Sequence, residues 1–306
     1  MISILVPNDS DAEKLVRLLP EDHIQVWHPD THGAIPDAEV ILLRRPKTYE
    51  NLHELGNIES LRLIQLASLG YEWLDLRVHR NAVIANSAGT CESSVAEVAV
   101  LHVLGSLKGL QGFAADRRRQ VWNSREVDTI VGSRIAVLGA GGLGLTIARY
   151  LQVFEPRWVR IYGRTARRSQ DGLKIHALDQ LADTLSEVDV LVLALPLTPD
   201  TAHLVDRRFL SQMRKGAHLV NVGRGTVVDT GALRTFLAEG RIHAAVDVID
   251  PEPLPPGDTL WNEDNFLLTP HVGGNSLIHE TLAFQLIANQ VERLRSGRPL
   301  LNVVNR

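Results

Sequence analysis

Residues 134–148 read Arg134-Ile-Ala-Val-Leu-Gly139-Ala-Gly141-Gly142-Leu143-Gly144-Leu-Thr-Ile-Ala148, and their pattern decides the fold. A short apolar run ends at Gly139, glycines stand at G-x-G-x-x-G spacing (Gly139, Gly141, Gly144), and apolar residues at helical period follow. Strand, turn and helix in that order turn a weak pattern into a dinucleotide-binding fingerprint. Gly139 permits the tight turn, Gly141 lets a pyrophosphate approach the backbone, and Gly144 lets the helix pack closely on the strand. The helix start, with Gly142 and Leu143, then offers free N–H groups and the positive dipole end to the anion.

From Arg134 onward, short apolar runs at 135–138, 159–162, 190–195, 219–222, 244–248 and 266–268 alternate with helical segments. Six such strands make a complete doubly wound domain. Before it, runs at 2–6, 24–27, 40–43, 61–66 and 83–85 alternate with helices expected at 11–19 and 48–55. That alternation predicts a second mostly parallel sheet with helices on both faces. A long helical pattern covers 93–110, and a polar stretch with Arg117-Arg118-Arg119 and Trp122 follows it. The last expected helix, 277–295, is closed by Gly297 and leads into an apolar tail at 299–304.

The 306 residues suit about two domains, and 44% apolar with 22% charged residues exclude a disordered, collagen-like or coiled-coil chain. A formal charge of −4 supplies no field for nucleic acid or anionic lipid, so the triple arginine reads as a solvated face. One cysteine, Cys91, cannot form an internal disulfide or hold a structural zinc by itself, which excludes a stapled secreted design and fits a reducing compartment. No basic segment precedes the first apolar run, and the longest apolar stretch, 190–195, falls far short of the ~20 residues of a membrane helix. The expectation is a cytoplasmic protein without membrane, nucleic-acid or metal partners.

An NAD-binding unit should carry an acid at the end of its second strand, about 20 residues past the glycine turn, to accept from the ribose hydroxyls. Gly163 stands there, followed by Arg164-Thr165-Ala166-Arg167-Arg168. Guanidiniums and a hydroxyl suit a ribose 2′-phosphate, so Arg164, Thr165 and Arg167 point to NADP(H), with NAD left possible. Three later strand ends each carry a group suited to hydride transfer onto a charged carbonyl compound. Arg224, between glycines, could clamp a carboxylate and polarise the neighbouring keto oxygen. Glu252 is presented by a proline-rich loop, and His271 has a side chain suited to acid/base work near neutral pH whose protonated form a nearby carboxylate favours. In a doubly wound sheet ligands bind beyond the carboxyl ends of the strands, so all three could converge on one site.

Taken together, GAGGLG at 139–144, LPLTPDT at 195–201, NVGRGTVVD at 221–229, AAVDVIDPEPLP at 244–255 and LLTPHVGG at 267–274 resemble the D-isomer-specific 2-hydroxyacid dehydrogenases. The resemblance extends to the Ala67-Ser-Leu-Gly70 turn, Asn86 and the helix start at Val95-Ala-Glu97. It implies that Arg224 binds the substrate carboxylate and keto oxygen, that Glu252 orients and charges His271, and that His271 passes the proton to the carbonyl. Leu69 and Gly70 would hold the carboxylate, with Arg44 a further substrate contact. Gly142, Leu143, Leu197, Val222, Asp247 and Gly273 match family cofactor contacts, Asp247 near the carboxamide. Family topology is α/β: a Rossmann cofactor domain (99–276) inserted in a smaller, discontinuous flavodoxin-like substrate domain (1–98 plus 277–306). The segment from 93 to about 130 resembles a dimer arm, so a homodimer is expected. Gly163 in place of the usual acid matches the glyoxylate/hydroxypyruvate reductase branch, whereas Phe154-Glu155-Pro156 departs from the common Phe-Gly by one apparent extra residue.

The expected activity is NADPH-dependent reduction of a small 2-oxoacid to the D-2-hydroxyacid. Oxidation of phosphoglycerate or another D-hydroxyacid with NAD is the enzymatic alternative, disfavoured by the missing ribose-side acid and by the absence of a regulatory domain after Arg306. A nucleotide-sensing binding protein on the same fold is the alternative of another class, and it would not need Arg224, Glu252 and His271 together. Tyr-x-x-x-Lys, Gly-x-Ser-x-Gly, Walker A and His-Glu-x-x-His patterns are absent from the sequence.

Overall fold

The computed structural model describes residues 1–28, 34–44 and 52–304. The chain begins with β1 (Ser3–Val6), α1 (Asp9–Leu18), β2 (His23–Val26), β3 (Val40–Leu43), β4 (Leu63–Leu66) and β5 (Val83–Ala85). Then come α2 (Glu92–Leu107), α3 (Leu110–Arg118), β6 (Arg134–Leu138), α4 (Gly142–Gln152), β7 (Trp158–Gly163), β8 (Arg167–Arg168) and β9 (Lys174–Ala177). Next are β10 (Val190–Leu193), α5 (Arg207–Gln212), β11 (Ala217–Asn221), α6 (Thr230–Ala238), β12 (Ile242–Val246), β13 (Phe266–Leu268) and α7 (Leu277–Arg295). Two compact units result: Met1–Cys91 with Ser276–Arg306, and Glu92–Asn275. The expected joint at 98/99 falls inside α2, which runs unbroken; the division lies at 91/92.

The smaller unit holds a parallel five-stranded sheet in the flavodoxin-like order β2-β1-β3-β4-β5. Its strands alternate their side chains between two cores: Ile4, Val6, Val40, Leu42 and Leu63 meet α1 and α7, while Leu5, Ile41, Leu43, Ile64 and Leu66 line the other face. From α7, Phe284, Ile287, Val291 and Leu294 enter the first core. Four such side chains are worth on the order of 6–12 kcal/mol before entropy is counted, which ties the end of the chain to the sheet made by its beginning. The tail then pairs with the sheet edge, Val303 bridging Ala85 antiparallel and Val304 N donating to Ile84 O at 2.9 Å. Residues 48–51 of the helix expected at 48–55 lie outside the described residues; Leu52–Asn57 forms a 3-10 helix.

The larger unit is the Rossmann sheet, in order β13-β12-β11-β10-β6-β7-β9-β8. Every pairing is parallel except β8 with β9. Strand order reverses at β6, so the crevice of the fold opens at the carboxyl ends of β6 and β10. The sequence pattern did not resolve β8 and β9, because two residues of a polar hairpin carry no periodicity. Nor is 93–110 one helix: Gly109 takes a left-handed conformation (φ 61°) and α3 leaves α2 at 67°. Among the described residues no single helix is long and apolar enough to cross a membrane.

Candidate active site

In the larger unit many of the candidate residues sit at or just beyond the carboxyl end of a parallel strand: Gly139 after β6, Gly163 closing β7, Leu197 after β10, Val222 and Arg224 after β11, Asp247 after β12, His271 after β13; Arg167 lies on the antiparallel β8. The glycine turn is built by close approach. A Cβ on Gly144 would stand 1.9 Å from Gly139 O and one on Gly139 2.3 Å from Ala194 O, whereas one on Gly141 would meet nothing within 4 Å. The first two glycines thus let α4 and β10 close in, and the third leaves room on the outer side. No acidic residue lies in the first turn of α4 itself, and the Glu92 carboxylate of α2 stands beside it, one oxygen 3.2 Å from where a Cβ on Gly142 would be. Leu143 is half-buried in that first turn.

On the ribose side, a Cβ at Gly163 would lie 2.8 Å from Ala140 Cβ and 3.4 Å from an Arg167 nitrogen. Arg167 donates to Ala140 O at 3.1 Å, so its guanidinium is held against the glycine turn where an NAD-type acid would project. Arg164 and Thr165 are exposed beside it. The residues fit a nicotinamide dinucleotide: a cradle that side chains would fill, a helix end, and exposed cations beside the glycine turn. Leu197 lies in a loop folded by Thr201, whose hydroxyl donates to Pro196 O at 2.7 Å and accepts from Thr198 N at 2.8 Å. Val222 is buried, its N–H on Leu193 O.

Arg224 is half-buried, and one of its guanidinium nitrogens donates to Gly223 O at 2.8 Å. Asn221 steadies it from behind: Nδ2 donates to Arg224 O at 3.0 Å and Oδ1 accepts from Gly223 N at 3.1 Å. Glu252 is exposed between Pro251 and Pro253, and its Oε1 lies 2.6 Å from His271 Nδ1. That contact occupies Nδ1, so Nε2 is the ring nitrogen left for a further hydrogen bond. His271 itself is left-handed (φ 53°), a conformation that costs a non-glycine residue about 1–3 kcal/mol and persists only where its surroundings enforce it.

The enforcing residue is Asp247. Its backbone oxygen accepts from His271 N at 2.8 Å, Oδ1 accepts from Val272 N at 2.9 Å and from the Thr269 hydroxyl at 2.5 Å, and Oδ2 accepts from Gly273 N at 2.9 Å. The buried carboxylate therefore holds the turn that carries His271, a larger task than the carboxamide contact expected of it. Asn221 and Thr269 were not singled out from the sequence; the only signal there is a polar residue just after an apolar strand.

In the smaller unit, Leu69 and Gly70 form a turn with engaged carbonyls. Asn86 Nδ2 donates to Leu69 O at 2.9 Å, and Ser68 Oγ and Trp73 Nε1 donate to Gly70 O at 2.7 and 3.3 Å. Arg44 forms a two-pronged pair with the buried Asp11, both contacts at 2.7 Å, and reaches Glu280 at 3.3 Å. Hydrogen bonding and charge from Asp11 raise the Arg44 pKa despite its burial, so the expected substrate contact is occupied in holding α1 and α7.

Comparison with known proteins places this geometry. Residues 100–273 match the model of the D-isomer specific 2-hydroxyacid dehydrogenase NAD binding domain. Glyoxylate reductase of Pyrococcus horikoshii is 30% identical, over 95% of this chain and 92% of that protein. D-3-phosphoglycerate dehydrogenase of Methanocaldococcus jannaschii is 26% identical over 100% of this chain, which spans only 60% of its length. Among solved structures, a D-isomer specific 2-hydroxyacid dehydrogenase from Xanthobacter autotrophicus in complex with NADPH superposes with a TM-score of 0.86, at 26% identity over 99% of this chain and 98% of that one.

Proposed function

The chain belongs to the D-isomer-specific 2-hydroxyacid dehydrogenases, and from that premise we propose that it reduces a small 2-oxoacid of the glyoxylate or hydroxypyruvate kind to the D-2-hydroxyacid, with NADPH preferred. As a member of that family it is an NAD(P)-dependent oxidoreductase. The observation that carries the reading is the 2.6 Å contact between His271 Nδ1 and Glu252 Oε1 on a turn held by Asp247. A carboxylate on Nδ1 stabilises the imidazolium and leaves Nε2–H as the donor to the substrate oxygen. Arg224 binds the substrate carboxylate and stabilises charge developing on the keto oxygen, a role that a fixed guanidinium fills without reorganising. A nicotinamide held by these residues would supply the hydride for the carbonyl carbon.

Gly139, Gly141, Gly142, Leu143 and Gly144 would hold the pyrophosphate side, and Leu197, Val222, Asp247 and Gly273 the nicotinamide side. Leu69 and Gly70 are proposed as backbone contacts of the substrate carboxylate. NADPH preference is supported by Gly163 with Arg167 anchored on Ala140 O, and by the NADPH reported with the Xanthobacter relative. A homodimer in the cytoplasm belongs to the same reading; the exposed Leu101 on α2, with Trp122 (98% exposed) and Val131 in the segment after α3, leaves apolar surface for a second copy.

Initial rates of NADPH and NADH oxidation with glyoxylate, hydroxypyruvate and bulkier 2-oxoacids test the reading, alongside oxidation of 3-phosphoglycerate with NAD. The highest kcat/KM is expected for a small 2-oxoacid with NADPH. A higher value with NADH would remove the cofactor assignment. Nucleotide binding without turnover of any 2-oxoacid would favour a nucleotide-binding protein instead.

A further inference from the structure

Behind the His271 turn lies a buried histidine that the reaction as described does not use. His102 is fully buried on α2, in the stripe Val95, Ala96, Ala99, His102, Val103 that faces the sheet. A histidine on such a stripe is commonly a satisfied core residue, but this one ends on the site. Its Nε2 stands 3.0 Å from the Thr269 hydroxyl, which also lies 2.5 Å from Asp247 Oδ1. A hydroxyl has one proton to give, and a carboxylate already accepting two backbone N–H groups can only accept. The Thr269 proton therefore goes to Asp247, and the Thr269 oxygen receives Nε2–H from His102.

We propose that His102 is a positioning residue for proton transfer: by donating to the Thr269 hydroxyl it directs that hydroxyl onto Asp247, whose carboxylate holds Val272 N and Gly273 N and so aims His271. A lone hydroxyl is a free rotor; a donor fixed at 3.0 Å on one side removes its alternatives. Burial lowers the His102 pKa, with the Asp247 charge and the Ala245 backbone pulling partly the other way, which agrees with a neutral ring. The left-handed His271 is the reason such support matters, because that turn relaxes once its anchor swings.

This inference rests on His271 being the proton donor, so the experiment includes His271→Asn. The variants His102→Leu, His102→Gln, Thr269→Val and the double variant Thr269→Val/His102→Leu are assayed for kcat, KM, NADPH affinity by fluorescence titration, and thermal midpoint. His102→Leu is expected to lower kcat about tenfold with KM and NADPH affinity little changed, less than the ~10²-fold cost of a full 1 Å misplacement. His102→Gln, whose amide N–H can reach the same hydroxyl, restores most of the rate. The double variant is no slower than Thr269→Val alone, since His102 acts only through Thr269. A wild-type kcat in His102→Leu, or additive losses in the double variant, would overturn the proposal while His271→Asn remains inactive. Loss of thermal stability without a change in kcat would likewise reduce His102 to a core residue. Should His102→Leu not fold, His102→Gln and Thr269→Val still decide it. Wild-type turnover by His271→Asn would instead remove the acid assignment and this inference with it.

Discussion

A test of the larger unit's internal electrostatics comes from His218, whose side chain is 3% exposed on β11. Its Nδ1 lies 2.7 Å from Ser106 Oγ, its Nε2 3.3 Å from Asp128 Oδ2, and its ring stacks on His243 with centroids 4.6 Å apart. Burial first and the His243 ring second lower its pKa from 6.5 to about 4, although Asp128 opposes them. Between those two values the unfolded chain binds a proton that the folded chain refuses, so stability falls as pH falls. The sign is fixed: the contribution is intact above about pH 6.5, declines below it, and levels out below about pH 4. The full span is about 3 kcal/mol at ~1.4 kcal/mol per unit, and between pH 7.5 and 5 about 2 kcal/mol is lost. Urea unfolding of wild type and His218→Gln, measured at both pH values, isolates this residue together with its coupling to His243 and Asp128, because titrating groups that do not interact with it cancel in the difference. The wild type should lose about 2 kcal/mol more than the variant over that interval. Parallel pH dependences would refute the claim that His218 is held neutral by burial.

Replacing Glu252 by Gln removes the charge 2.6 Å from His271 while keeping size, and kcat should fall at least tenfold with substrate KM little changed, as steady-state kinetics would report. Arg167→Ala should raise KM for NADPH about tenfold or more and leave KM for NADH nearly unchanged, because a charge-assisted contact is worth about 1.5–3 kcal/mol. Gly144→Ala puts a methyl 1.9 Å from Gly139 O, so the turn must open; NADPH binding, followed by fluorescence, should be lost even where circular dichroism shows a folded protein. Asp11→Ala strips Arg44 of its buried partner and should cost the smaller unit about 1–3 kcal/mol, the half-exposed Arg44 keeping some compensation from water; an unchanged unfolding midpoint would show that the pair contributes nothing.

The sequence alone determined the two doubly wound sheets and the glycine turn, and it singled out Arg224, Glu252 and His271 as candidates. Period, strand-ending glycines and a run of strand-end polar residues are local properties, readable within a few residues of one another. What it could not supply depends on residues far apart in the chain. Arg44 reads as a candidate ligand at a strand end until Asp11, 33 positions away, is seen to occupy it. Helix α2 reads as running to 110 until Gly109 turns left-handed and sends α3 off at an angle. Asp247 reads as a cofactor contact, yet its carboxylate lies against residues 22 to 26 positions later and organises the left-handed His271 turn. His102 carries no motif at all; only packing, which brings α2 against the end of β13, makes it a neighbour of Thr269, 167 positions on. Periodicity and motif record which residue types a fold needs locally, whereas the partners of buried polar groups are chosen by the tertiary fold, since a buried donor or acceptor must be satisfied by whatever the packing brings within about 3 Å.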